Sequence, residues 1–77
     1  MNQIEREKLL AVPSIGPIMV RYFEAIGMQG LGDFAGADAG EIAMRIDIHL
    51  GVRRMTALGL RAIENVIAAA EQEAKGD

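Results

Sequence analysis

Few side chains in this sequence could carry bond-making chemistry. There is no cysteine, and His49 is the only histidine. Apart from Tyr22, the only hydroxyl residues are Ser14 and Thr56. A nucleophile–base–acid triad or a Cys/His metal site therefore lacks raw material. His49 falls at the end of an expected helix, where an imidazole commonly caps terminal carbonyls. Asp33 with Asp38, and Glu71 with Glu73, stand at loop or non-facing spacings that suit capping and solvation. The inventory points away from an enzyme and implies neither cofactor nor metal. Binding chemistry remains: backbone N–H groups at helix starts, a few arginines, and apolar surface.

The elements that position these groups are helical. The 77 residues are enough for one small domain, 1–77, with 51% apolar residues but only three aromatics, Tyr22, Phe23 and Phe34. With no disulfide to help, the core must be aliphatic and helix-built. Ile4, Leu9, Leu10 and Val12 predict a first helix over about residues 3–11, ended by Pro13, which pushes its predecessor out of the helical region. Pro17 suits the first turn of a second helix reaching about Ile26, with Met19, Val20, Phe23 and Ile26 on its core side and Gly27 as a left-handed cap. Residues 27–32 form a glycine-rich turn, and residues 31–35 a short helical turn with Asp33 near its start. Asp38 and Glu41 have capping-box spacing and open a third main helix to about His49. Its buried stripe is Ile42, Ile46 and Leu50, with Met44 or Ala43 beside it, and Gly51 breaks it. A last helix over about residues 54–74 places Met55, Leu58, Ala62, Ile63, Val66, Ala69 and Ala70 on one broad face, which Leu60 and Ile67 extend. Gly59 within that face predicts a close approach to another helix. The fold class is all-α, with four main helices and one short one.

One segment carries more specific information. Val12-Pro13-Ser14-Ile15-Gly16-Pro17 joins two helices by a tight turn with an apolar centre, where Ile15 can plug between the helices and Gly16 permits a backbone path closed to larger residues. The segment resembles a helix-hairpin-helix motif: Ser14 stands for its first glycine, Gly16 for its second, and Val20 and Phe23 for its core positions. The wider stretch includes Leu10-Ala11-Val12-Pro13-Ser14-Ile15-Gly16-Pro17, Ile26-Gly27-Met28 and Leu31-Gly32-Asp33-Phe34-Ala35-Gly36-Ala37-Asp38. It is similar to small bacterial helix-hairpin-helix proteins of the "pathogenicity locus" and "mitomycin resistance" type, and to the C-terminal domain of the TfoX competence regulator. The resemblance covers roughly half the chain and implies a SAM-like helical architecture, with phosphate docking on N–H groups at a helix start. Members that bind DNA commonly add Lys or Arg after the second glycine. Here Pro17 has no N–H, and Ile18 and Met19 are uncharged.

Sliding the chain by 35 residues superposes Gly51 on Gly16 and Leu58 on Phe23, so a degenerate tandem pair is expected, with Arg53 and Arg54 opposite Ile18 and Met19. Charge is concentrated at that second position. Residues 45–61 hold four arginines and one acid, a balance of +3, whereas the remainder carries four bases and ten acids, -6. The leading expectation is a non-enzymatic, sequence-independent DNA-binding module. It would contact duplex phosphates through N–H groups at Ser14, Ile15, Gly16 and Ile18 and through Arg53 and Arg54, with Arg21 assisting. Two or three such contacts give weak binding with a log–log salt slope of about -2 to -3. The alternative is a protein-interaction or homodimerisation module using Ile18 and Tyr22, four apart on the second helix. No apolar run could span a bilayer, and the charged first residues differ from an export signal, so a cytoplasmic location is expected.

Overall fold

The computed structural model describes residues 1–53 and 55–76; Arg54 and Asp77 lie outside the described residues. The chain folds into α1 (Gln3–Leu10), α2 (Pro17–Ala25), a 3-10 turn (Leu31–Phe34), α3 (Ala39–Leu50) and α4 (Ala57–Lys75), with no strand among the described residues. The all-α expectation holds.

Local chemistry sets most of the boundaries. Asn2 caps α1 by accepting from the Glu5 N–H at 2.9 Å, and Asp38 caps α3 by accepting from the Glu41 N–H at 3.0 Å. Pro17 begins α2, where a missing N–H costs nothing. At the other end of α2, Gly27 takes φ 92° while its N–H donates to Glu24 O and that of Met28 to Phe23 O, each at 3.0 Å. This pair of bonds is a Schellman ending, and the Met28 side chain that follows it is buried. The Asp33 carboxylate closes the next turn by accepting from the Gln29 N–H at 2.7 Å.

The core collects Leu9 from α1, Val20 and Phe23 from α2, Leu31 and Phe34 from the 3-10 turn, Ile42 and Ile46 from α3, and Ala62, Ile63, Val66 and Ala70 from α4. At its centre the Phe23 and Phe34 rings meet edge-to-face, centroids 4.8 Å apart and planes at 70°. The α4 helix lies across the 3-10 turn and α3, while α2 bridges α1 and α3. Two polar ties reinforce α1. The Leu31 N–H donates to Glu5 Oε1 at 3.0 Å, and Lys8 Nζ sits between Glu5 (3.5 Å) and Glu73 (3.4 Å). Those carboxylates, Glu5 foremost, raise the Lys8 pKa above the usual lysine value.

Several expectations change. The last helix starts at Ala57 and not at Arg54, because the Thr56 hydroxyl caps it by accepting from the Gly59 N–H at 3.1 Å. Met55 therefore precedes the helix, held by its N–H donating to Asp47 Oδ1 at 3.0 Å. Leu58 points to solvent and not into the core. Gly59 does not admit a neighbouring helix; a Cβ there would fall against the Met55 sulfur. On α3, Ala43 is buried beside the Ile42–Ile46 stripe and Met44 is exposed.

The hairpin contains a further inversion. Gly16 is extended, at φ -114°, with open space where a Cβ would stand, so its turn does not require glycine. The left-handed residue is Ser14, at φ 71°, the only positive-φ non-glycine among the described residues. A left-handed backbone costs an L-residue about 1–2 kcal/mol, which glycine avoids while giving part of that back as unfolded-chain entropy. Ser14→Gly is thus expected to raise stability by about 0.5–1 kcal/mol and Ser14→Val to lower it. The urea midpoints of the two variants against the parent test both signs.

Candidate interaction site

The α1–α2 and α3–α4 connections share a length and an ending. Each has six residues, Ala11 to Gly16 and Gly51 to Thr56, ending on the N-cap of the following helix. Matching N-cap to N-cap sets Thr56 on Gly16, a shift of 40 residues, which replaces the shift of 35 read from the glycines. Gly51 is the left-handed C-cap of α3, at φ 75°, and Gly16 is an extended N-cap, so one residue type performs two different tasks. In this register Met55 matches Ile15, Leu58 matches Ile18 and Ile63 matches Phe23. Arg53 falls opposite Pro13, within the turn and ahead of the helix start.

The hairpin groups meet mixed fates. Ile15 is committed twice, its side chain buried and its N–H donating to Val12 O at 3.2 Å, so it offers nothing outward. Gly16, Ile18 and Met19 head α2 with N–H groups that have no acceptor among the described residues, as the first turn of a helix requires. Arg21 is exposed but on the side of α2 facing α1, beside Arg6, Leu10 and Pro17, apart from the second turn. Arg53 is exposed and makes no ion pair among the described residues; Arg54 lies outside them. Arg45 is tied to the Ile26 carbonyl oxygen through Nη2.

A cleft of about 230 Å³ joins α2 to the α3–α4 turn. Met19 and Tyr22 line one wall, Leu50 and Met55 the other, and Asp47 and Gly59 contribute to its lining. Ile18 lies one helical turn before Tyr22 on the outer ridge of α2 and is 64% exposed. Leu58, next to Gly59, is 75% exposed. Both helices that start at this end thus carry a large, solvent-facing aliphatic at their second residue. The sequence reading identified Ile18 and Tyr22 but assigned Leu58 to the core. It also missed the exposed Met44 and Ile48 on α3 and Val52 just beyond its Gly51 cap. The available signal was that α3 is apolar on more than one face.

No group of three or more His, Asp or Glu side chains suited to hold a metal ion occurs among the described residues. None of the described helices is long and apolar enough to cross a membrane. No protein-family model matches the chain, and comparison with curated proteins and with solved structures finds no match.

The exposed aliphatics separate surface from core energetics. Ile18→Ser and Leu58→Ser are expected to change unfolding free energy by less than about 0.5 kcal/mol. Phe34→Ala, which removes the ring at the centre of the core, is expected to lower it by about 3–5 kcal/mol. Chemical denaturation of the three variants checks the contrast.

Proposed function

We propose that this chain is a non-enzymatic protein-docking module whose binding surface is the end formed by the start of α2 and the α3–α4 turn. The observation that carries this reading is the pair of exposed aliphatics, Ile18 and Leu58, at the second residues of α2 and α4. A helix start that docks phosphate works through free N–H groups, dipole and neighbouring cations. At α2, Pro17 removes one N–H and Ile18 and Met19 supply no charge; at α4, Ala57, Leu58 and Gly59 supply none either. Burying those aliphatics against a protein releases water from apolar surface, whereas burying them against phosphates gains nothing. Composition agrees, since Met, Tyr and Arg are the residue types enriched in protein interfaces.

A second reading is favoured by one feature of the hairpin. Ser14 adopts a left-handed conformation at the position where the helix-hairpin-helix pattern has glycine, and the N–H groups of Gly16, Ile18 and Met19 remain without acceptors among the described residues. That geometry supports a weak contact with a nucleic-acid backbone, helped by Arg53.

One titration compares the two. Backbone-labelled protein receives a short DNA duplex at low and at physiological salt while individual amides are followed. The docking reading expects no salt-sensitive displacement at residues 14–19 or 51–55. Displacements confined to those two turns, fading with salt on a log–log slope of about -2 to -3, would replace it with the nucleic-acid reading.

A further inference from the structure

On a face separate from the docking end, we infer a second interaction surface: the groove between the start of α3 and the outer stripe of α4 receives a cationic amphipathic helix of a partner protein, with basic residues two turns apart facing Glu64 and Glu71.

Shape supplies the first argument. Leu60, Glu64, Ile67 and Glu71 follow at steps of four, three and four, so they form one stripe along α4, beside the core stripe of Ala62, Ile63, Val66 and Ala70. Ala37, Ala39 and Gly40 make the facing wall at the start of α3, and Ala68 completes the lining. Leu60 and Ile67 are half-buried against the core, and the other uncharged lining residues carry no more than a methyl group. Small side chains at a contact let a second helix axis come close. The hollow measures about 420 Å³. An engineered cavity of about 150 Å³ already holds a benzene ring, so this groove takes several side chains and not one.

Charge supplies the second, and here it belongs to the lining itself. The charged lining residues are Asp38, Glu64 and Glu71, with no base among them. Glu64 is exposed and makes no hydrogen bond or ion pair among the described residues. Asp38 and Glu71 accept from backbone N–H groups, those of Glu41 at 3.0 Å and Gly36 at 3.3 Å, and neither meets a cation among the described residues. Arg61 and Lys75 lie a turn before Glu64 and a turn beyond Glu71, outside the lining, and pair with none of the three. The start of α3 contributes about half a positive charge, too little to offset three carboxylates.

Spacing then defines the occupant. Glu64 and Glu71 stand two turns apart, roughly 10 Å along the axis. The complementary helix carries Lys or Arg at i and i+7, with aliphatic residues at i+3 and i+4 over Ile67 and Ala68. Within its described helices this chain has no two bases seven residues apart, so a second copy does not fit. A nucleic-acid backbone is repelled by the same carboxylates. The three acids do not form a group suited to hold a metal ion, and a bare cation would leave the apolar lining uncovered.

Two helical peptides provide the test. They share leucine at i+3 and i+4 and carry either lysine or glutamate at i and i+7. The lysine peptide is expected to shift the Ala39, Gly40, Ile67 and Ala68 amides and to bind roughly 10-fold tighter than the glutamate peptide at low salt. Glu64→Lys, an exposed substitution, is expected to leave the urea midpoint unchanged and to remove that preference. Equal binding of both peptides, or binding of neither, would overturn the proposal. Lysine-peptide shifts at Met19, Tyr22, Leu50 and Met55 in place of the groove amides would overturn it in favour of the cleft. Undiminished binding of a lysine peptide with its leucines replaced by serine would reduce the contact to charge and overturn the helix. Concentration-dependent sedimentation of the protein alone, abolished by Glu64→Lys, would put a second copy in the groove and overturn the separate partner.

Discussion

The edge-to-face contact of Phe23 and Phe34 is the point around which this small core closes. A chain with three aromatic residues has little ring surface to spend, and it places two of them against each other. Phe23 arrives on α2, and the Schellman ending of that helix turns the chain at once so that Met28 and then Leu31 re-enter the core. Phe34 arrives on a 3-10 turn too short to hold itself. It is held by Asp33 closing the preceding loop and by Glu5, which reaches from α1 to the Leu31 N–H. The long α4 then lies over both, and α3 fills the remaining side. Loss of either ring removes the surface against which the other elements align.

The hairpin between α1 and α2 is held by apolar packing against backbone strain. Val12 and Ile15 are buried under it, and the Asn65 amide donates to the Pro13 carbonyl from α4 at 3.2 Å. Those contacts maintain a left-handed Ser14 that an isolated turn would abandon. The second connection reaches the same length and the same N-cap ending by other means, a left-handed Gly51 and a Thr56 hydroxyl. The two connections thus share a length and an N-cap ending while their left-handed residues fall at different places, and both deliver an aliphatic residue to the surface at the second helical position.

What could be read from the chain divides along the range of the forces involved. Pro17, Gly27, Asp38 and Gly51 act within four or five residues of themselves, and each marks a helix end near where it was expected. The start of α4 was not legible because nothing in Arg53-Arg54-Met55 forbids a helix. The decisive bond runs from Asp47 to the Met55 N–H, and it depends on where α3 ends. Leu58 stands four residues before Ala62 in the helical pattern, yet at the second residue of α4 it is exposed while Ala62 and Ile63 are buried. Periodicity alone favoured Ala43 and Met44 equally. The packing of α3 against α4 settles the matter for the smaller residue. At the candidate site, Ile18 and Tyr22 were visible as apolar residues off the core face. The cleft beside them was not, since its two walls come from residues about thirty positions apart that meet only in the folded chain.

The separation of charge along the molecule changes what its net charge means. Glu71 and Glu73, in the last turns of α4, stand roughly 22–26 Å from the Thr56 cap at its start, at 1.5 Å per residue, in a body 38 Å long. In physiological salt a charge is felt over only about 8 Å. A molecule arriving at the cleft is therefore screened from Glu71 and Glu73, and the charged residue it meets in the cleft's own lining is Asp47. The overall charge of -3 governs only what senses the particle whole, such as an applied field or an ion-exchange bed.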